Sequence, residues 1–137
     1  MSDTPRQRQK RETRERILDS ATSLMAGGRS FDSLGLREVA REAGLAATSL
    51  YNHFPDMEAL GLALIDRACF RLRGGMAEGR RSMIEIGVAR AVRELVGRFG
   101  RFQHLYEDEF RLLLQQRLGR RRAYRLRIHG ELQLLID

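Results

Sequence analysis

The chain has 137 residues, 42% hydrophobic and 31% charged, a composition that suits a packed globular domain and argues against disorder. Its net charge of +7 favours polyanionic partners, either nucleic acid or an acidic membrane surface. The single cysteine, Cys69, excludes a disulfide framework within one chain and fits a reducing compartment.

The first dozen residues read as a polar arm rich in arginine and glutamine, without the apolar core of a signal peptide. Ile17, Leu18, Ala21, Leu24 and Met25 then recur at three- and four-residue steps, the apolar stripe of one helix. Gly27 and Gly28 are expected to end it, because glycine takes the left-handed cap conformation without a Cβ clash. Phe31 and Leu34 read as loop residues that plug a small core. In LREVAREAG, Leu36, Val39, Ala40 and Ala43 lie on one face of a short helix, and Gly44 stops it. Leu45 is the next apolar anchor. A third short helix is expected from Ala47 to about His53, burying Leu50 and Phe54. Two short helices joined by a tight glycine turn form a helix-turn-helix, whose second helix can enter a major groove.

Pro55 and Asp56 mark a break and a restart, since the residue before a proline avoids helix and aspartate is a good N-cap. A long helix is expected from Met57 to about Glu78, with Leu60, Leu64, Ala68 and Leu72 on its apolar side and a loosening at Gly74 and Gly75. An amphipathic stretch follows from Ile86 to Phe102, then a helix from about Asp108 to Leu118, the basic run Arg120 to Arg122, and a last helix. That helix carries Leu132, Leu135 and Ile136 near its end, an apolar face that needs cover from a partner subunit or from chain not present here. No apolar run approaches the roughly 18 residues of a membrane span. The expected fold is all-α, with a helix-turn-helix domain and its basic arm over residues 1–55 and a second helical domain over residues 56–137.

The residues argue against an enzyme. His53, His104 and His129 are scattered, and one cysteine cannot build a thiolate metal site. Ser49 and His53 stand four apart on one helix, but no carboxylate is placed to orient the histidine. No catalytic residue, metal or cofactor is expected.

The segment SFDSLGLREVAREAGLAATSLYNHFPDMEAL resembles the TetR family of bacterial one-component repressors over about residues 10 to 65. RSFDSLGLREVAREAG, TSLYNHF, ALGLALID and FRLLLQQRLG are similar to the FabR and DesT type, repressors of unsaturated fatty-acid synthesis. The resemblance implies a homodimer on palindromic double-stranded operator DNA, in the bacterial cytoplasm at the nucleoid and not on a membrane. It also implies an acyl thioester effector, acyl-CoA or acyl carrier protein, and makes residues 56–137 the effector-binding and dimerisation domain. Measured against that family the chain is expected to be short at its C-terminus, where the final two helices of the dimer bundle would stand. Two residues depart from the family pattern: Ala46 replaces a polar cap, and Met57 stands where a phosphate-binding lysine is common.

Reading an operator needs contacts that position the protein and contacts that specify sequence. Ala47, Thr48, Ser49 and Asn52 are assigned to the groove-facing side of the recognition helix: hydroxyls can bond base edges, a methyl can pack on thymine, and an amide can pair with adenine. The resemblance adds Tyr51 and His53 as DNA-backbone contacts. Lys10 and Arg14, with Arg8 and Arg11, could reach phosphates from the arm, and Arg37 from the start of its helix. Phe70, Met83, Val92, Phe99 and Leu114 are candidates for an effector-binding wall, against the plainer reading of packed core. Arg120 to Arg122 read either as a solvated loop or as a seat for an acidic carrier or thioester headgroup. The alternative function is a truncated helical interaction module that pairs with a full-length regulator and binds DNA weakly.

Overall fold

The computed structural model describes residues 3–86 and 88–136, with the side chains of residues 75–92, 94, 95, 135 and 136 outside that description. The described chain is all-α: α1 (Pro5–Met25), a short 3-10 turn (Phe31–Ser33), α2 (Leu36–Ala43), α3 (Ala47–His53), α4 (Met57–Ile86), α5 (Val88–Leu105), α6 (Glu107–Arg117) and α7 (Arg122–Ile136). None of the described helices is long and apolar enough to cross a membrane. The chain divides into two compact units, residues 1–63 and 64–137.

In the first unit the expected arm is helical, a correction to the sequence reading. Thr4 is the N-cap of α1: its hydroxyl accepts from the Gln7 amide at 3.2 Å, and the Gln7 side chain accepts from the Thr4 amide at 2.9 Å. Pro5 occupies the first turn, where its missing N–H costs nothing. This reciprocal capping box satisfies two amides that a fraying helix end would leave open. The sequence Thr4–Pro5–Arg6–Gln7 carried that signal, and the charge density of the segment obscured it.

α1 buries Ile17, Leu18, Ala21 and Met25, and ends as expected before Gly27 and Gly28, both at positive φ. Phe31 is fully buried on the 3-10 turn and Leu34 is buried just after it. Val39, Ala40 and Ala43 of α2, Leu50 of α3, then Phe54 and Leu60, complete this core. Leu36 and Leu45, expected in the core, are only half-buried. Each sits at the margin of a helix too short to enclose its end residues. Arg29 makes a two-pronged ion pair with Glu38, which ties the loop to α2 and draws the Glu38 carboxyl below the usual range.

Asp56 caps α4, its carboxylate accepting from the Ala59 amide at 2.8 Å. α4 runs on to Ile86, past the expected end near Glu78 and without a break at Gly74. In the second unit α4 buries Leu64, Ile65, Ala68, Cys69 and Leu72. The other helices bury Phe102, Leu112, Leu113, Tyr124 and Ile128. Arg71 pairs with Glu109, Arg73 with Glu131 at 2.6 Å, and Arg127 with Asp66 at 2.8 Å, so α4 is pinned to both α6 and α7. Burial pushes the Cys69 thiol up to about 11, leaving it protonated and unreactive at neutral pH.

Candidate nucleic-acid interface

The turn between α2 and α3 is built by Gly44. It sits at φ 70°, ψ 31°, the left-handed region where an L side chain is strained. Its N–H bonds to Arg41 O at 3.1 Å, and the Leu45 N–H reaches back to Ala40 O at 2.9 Å. That pair of bonds closes the carbonyl end of α2 as a Schellman motif and turns the chain sharply into α3.

α3 has no side-chain cap, because Ala46 has no oxygen to offer. Its position rests on packing: Leu50 and the following Phe54 are buried at 0% and 2% exposure. Fixing those two turns the remaining residues outward. Thr48, Ser49, Tyr51 and Asn52 are exposed, while Ala47 and His53 are half-buried at the margins. Of the residues assigned to the groove-facing side, Thr48, Ser49 and Asn52 are exposed on this seven-residue helix and Ala47 is only partly so. Arg37 is exposed on α2.

The helical N-terminus of α1 runs beside the end of α3. Two grooves open there, of about 380 and 330 Å³. The first is lined by Arg6, Gln9, Lys10, Thr13, Asn52 and His53. The second is lined by Gln7, Lys10, Arg11, Arg14, Asn52 and His53. Lys10, Asn52 and His53 thus border both. Arg14 also stacks on the Phe54 ring, its guanidinium carbon 4.7 Å from the centroid, so one side chain braces the core and faces the groove. The structure brings Lys10, Arg14, Asn52 and His53 together, and adds Arg6, Gln9 and Thr13, which the sequence reading left out. Once α1 is known to start at Pro5, the spacing of Arg6, Gln9, Lys10 and Thr13 on one helical face is legible. Arg8 lines neither groove.

His53 is held below its ordinary value, first by partial burial and then by the positive charges of Lys10 and Arg14. Arg6 and Arg11 line the same grooves, Arg11 being ion-paired with Asp3. Near neutral pH the imidazole is therefore uncharged. A phosphate seated between Lys10 and His53 would favour the imidazolium. Operator affinity is expected to rise as pH falls from about 7.5 to about 5.5, across the ordinary histidine range. Folding stability runs the opposite way: the unfolded histidine binds protons more readily, so stability is full above about pH 6.5 and declines below it. Titrations of duplex binding should show that rise in the parent and a flatter profile in His53→Gln. A flat parent profile would rule out a phosphate at His53.

Of the residues considered for an effector wall, Phe70 is 70% exposed and Leu114 51%. Phe99 is exposed too, its ring meeting Phe110 edge-on at 5.6 Å. The side chains of Met83 and Val92 lie outside the described residues. No group of three His, Cys, Asp or Glu that could hold a metal ion is found among the described residues.

Two short helices joined at Gly44, the second polar on its outward side and set beside a cationic groove, define a helix-turn-helix unit among the described residues. Residues 17–64 match the family described as bacterial regulatory proteins, tetR family. Two solved structures share the fold. One is the fatty acid degradation regulator FadR from Bacillus halodurans, 19% identical at a TM-score of 0.67, covering 97% of this chain and 64% of that one. The other is FadR from Thermus thermophilus, a TetR family transcriptional repressor in complex with lauroyl-CoA. It is 24% identical at a TM-score of 0.61, covering 90% of this chain and 63% of that one. The chain thus spans less than two thirds of the length of either.

Proposed function

We propose that this protein is a ligand-responsive transcriptional repressor of fatty-acid metabolism, and that it acts as a cytoplasmic homodimer on palindromic operator DNA. The observation that carries the reading is the α3 face of Thr48, Ser49, Tyr51 and Asn52 standing beside the groove lined by Lys10, Arg14 and His53. Base edges are read by Thr48, Ser49 and Asn52, and phosphates are held by Tyr51 and the groove residues, the division of labour that operator recognition needs. The tetR-type match over residues 17–64 supports it. The motifs similar to FabR and DesT, and the lauroyl-CoA held by the Thermus neighbour, support an acyl thioester as effector, either acyl-CoA or an acylated carrier protein.

In this account residues 1–55 read DNA and residues 56–137 hold the effector and the second subunit. α4 begins directly after the recognition helix and continues into the second unit. An effector that prefers one arrangement of the α4–α7 helices would shift the spacing of the two recognition helices through it, and can do so only by that difference in affinity. Half-sites about one helical turn apart follow from the two-fold symmetry. A duplex selected from a random pool, then titrated with lauroyl-CoA, is expected to be released at least tenfold more readily. Affinity that ignores lauroyl-CoA and other chain lengths alike would sink the acyl effector and leave DNA binding standing.

A second reading, a helical module that pairs with another regulator and binds DNA weakly, draws on the exposed apolar side chains Val96, Leu105, Leu118 and Leu134. Native mass separates the two: a homodimer on duplex supports the repressor, and a monomer that associates only with a longer relative supports the module.

A further inference from the structure

The corner where α6 gives way to α7 has a chemistry that operator reading does not use. From Phe110 to Gly130 the chain carries seven arginines and no aspartate or glutamate. Two of the seven are neutralised from elsewhere: Arg111 by Asp108 and Arg127 by Asp66. Arg117, Arg120, Arg121, Arg122 and Arg125 fall within nine residues around the turn. Arg121 and Arg125 are anchored to the protein, through the Tyr124 hydroxyl at 2.9 Å and Gly119 O at 2.7 Å. Arg117, Arg120 and Arg122 extend into solvent. Beside them Leu118 is 87% exposed, and Leu114, one helical turn earlier, is 51% exposed.

We propose that this corner is a docking surface for an acidic protein, with Leu118 and Leu114 as the apolar anchor and Arg117, Arg120 and Arg122 pairing with carboxylates around it. An apolar centre with an arginine-rich rim has the anatomy of a protein–protein contact, where arginine is enriched and lysine is not. Charge complementarity sets the sign of the partner, since an unbalanced cluster of this size steers and retains anionic surfaces and repels cationic ones. Duplex DNA offers the leucines only scattered thymine methyls within a polar groove, too little to cover two adjacent leucines. A lipid surface is less well matched than a protein, because interfacial helices present a continuous apolar face, whereas α7 buries Tyr124 and Ile128 inside the second unit.

The test uses the full chain and a fluorescent 20-residue helical peptide carrying glutamates around a stripe of leucines, read by anisotropy. A glutamine version of that peptide, phosphatidylglycerol vesicles and a random duplex serve as competitors. Binding is expected for the acidic peptide alone. Arg120→Glu/Arg122→Glu should weaken it at least tenfold and Leu118→Ser several-fold, with selected-operator binding unchanged in both because neither set of residues belongs to the recognition face. All three positions are exposed, and circular dichroism verifies that the variants remain folded. Equal binding of the glutamine peptide, indifference to both variants, or displacement by vesicles or random duplex at lower concentration would each overturn the proposal.

Discussion

Replacing Phe54 with alanine is expected to cost about 3–5 kcal/mol and to leave the first unit largely unfolded at physiological temperature. Phe54 is 2% exposed and directly follows α3. Its amide bonds to Leu50 O at 2.9 Å, and Arg14 stacks on its ring. The substitution therefore removes a large buried side chain and the contact that bridges α3 to α1. At about 0.05–0.15 kcal/mol per residue, a unit of this size has only about 3–9 kcal/mol to lose. Circular dichroism melts should show an early transition for the first unit, with duplex binding lost at the same temperature. A melt within a few degrees of the parent would mean that α3 is held by something other than this packing.

Asn52→Ala is expected to have the opposite profile: the same melting curve and a large loss of operator affinity. Asn52 is exposed on α3 and borders both grooves, so its removal opens no cavity. Loss of an amide paired with a base costs about 1–3 kcal/mol of discrimination, roughly 5- to 150-fold in affinity for the cognate duplex and little for random duplex. Anisotropy titrations against both duplexes separate the cases. An equal loss on both would make Asn52 a phosphate contact, and no loss would remove it from the interface.

The two profiles follow from how the sequence encodes the unit. Val39, Ala40, Leu50 and Phe54 were legible because a short amphipathic helix has only one apolar face to bury. The outward set of Thr48, Ser49 and Asn52 was legible as its complement. Gly44 was legible as a stop because glycine takes the left-handed turn without strain. The helical start of α1 was missed although its capping box is written in Thr4 and Gln7, since a run of charged residues resembles a solvated arm. Arg6, Gln9 and Thr13 were missed with it: their shared face exists only once the segment is helical. Leu36 and Leu45 were overcounted as core, because periodicity gives direction and not depth. In the second unit the pairs Arg71–Glu109 and Arg127–Asp66 join residues 38 and 61 positions apart, which no local pattern announces.

The most direct test of the central claim is the salt dependence of duplex binding, measured for the parent chain and for Lys10→Ala and Arg14→Ala on a selected palindrome. Counterion release predicts that log affinity falls linearly with log salt, at a slope of about −0.9 per phosphate neutralised. The parent is expected to show a steep slope that becomes shallower by about one in each variant. A slope near zero, or one that neither substitution changes, would contradict a DNA interface built from α1 and α3.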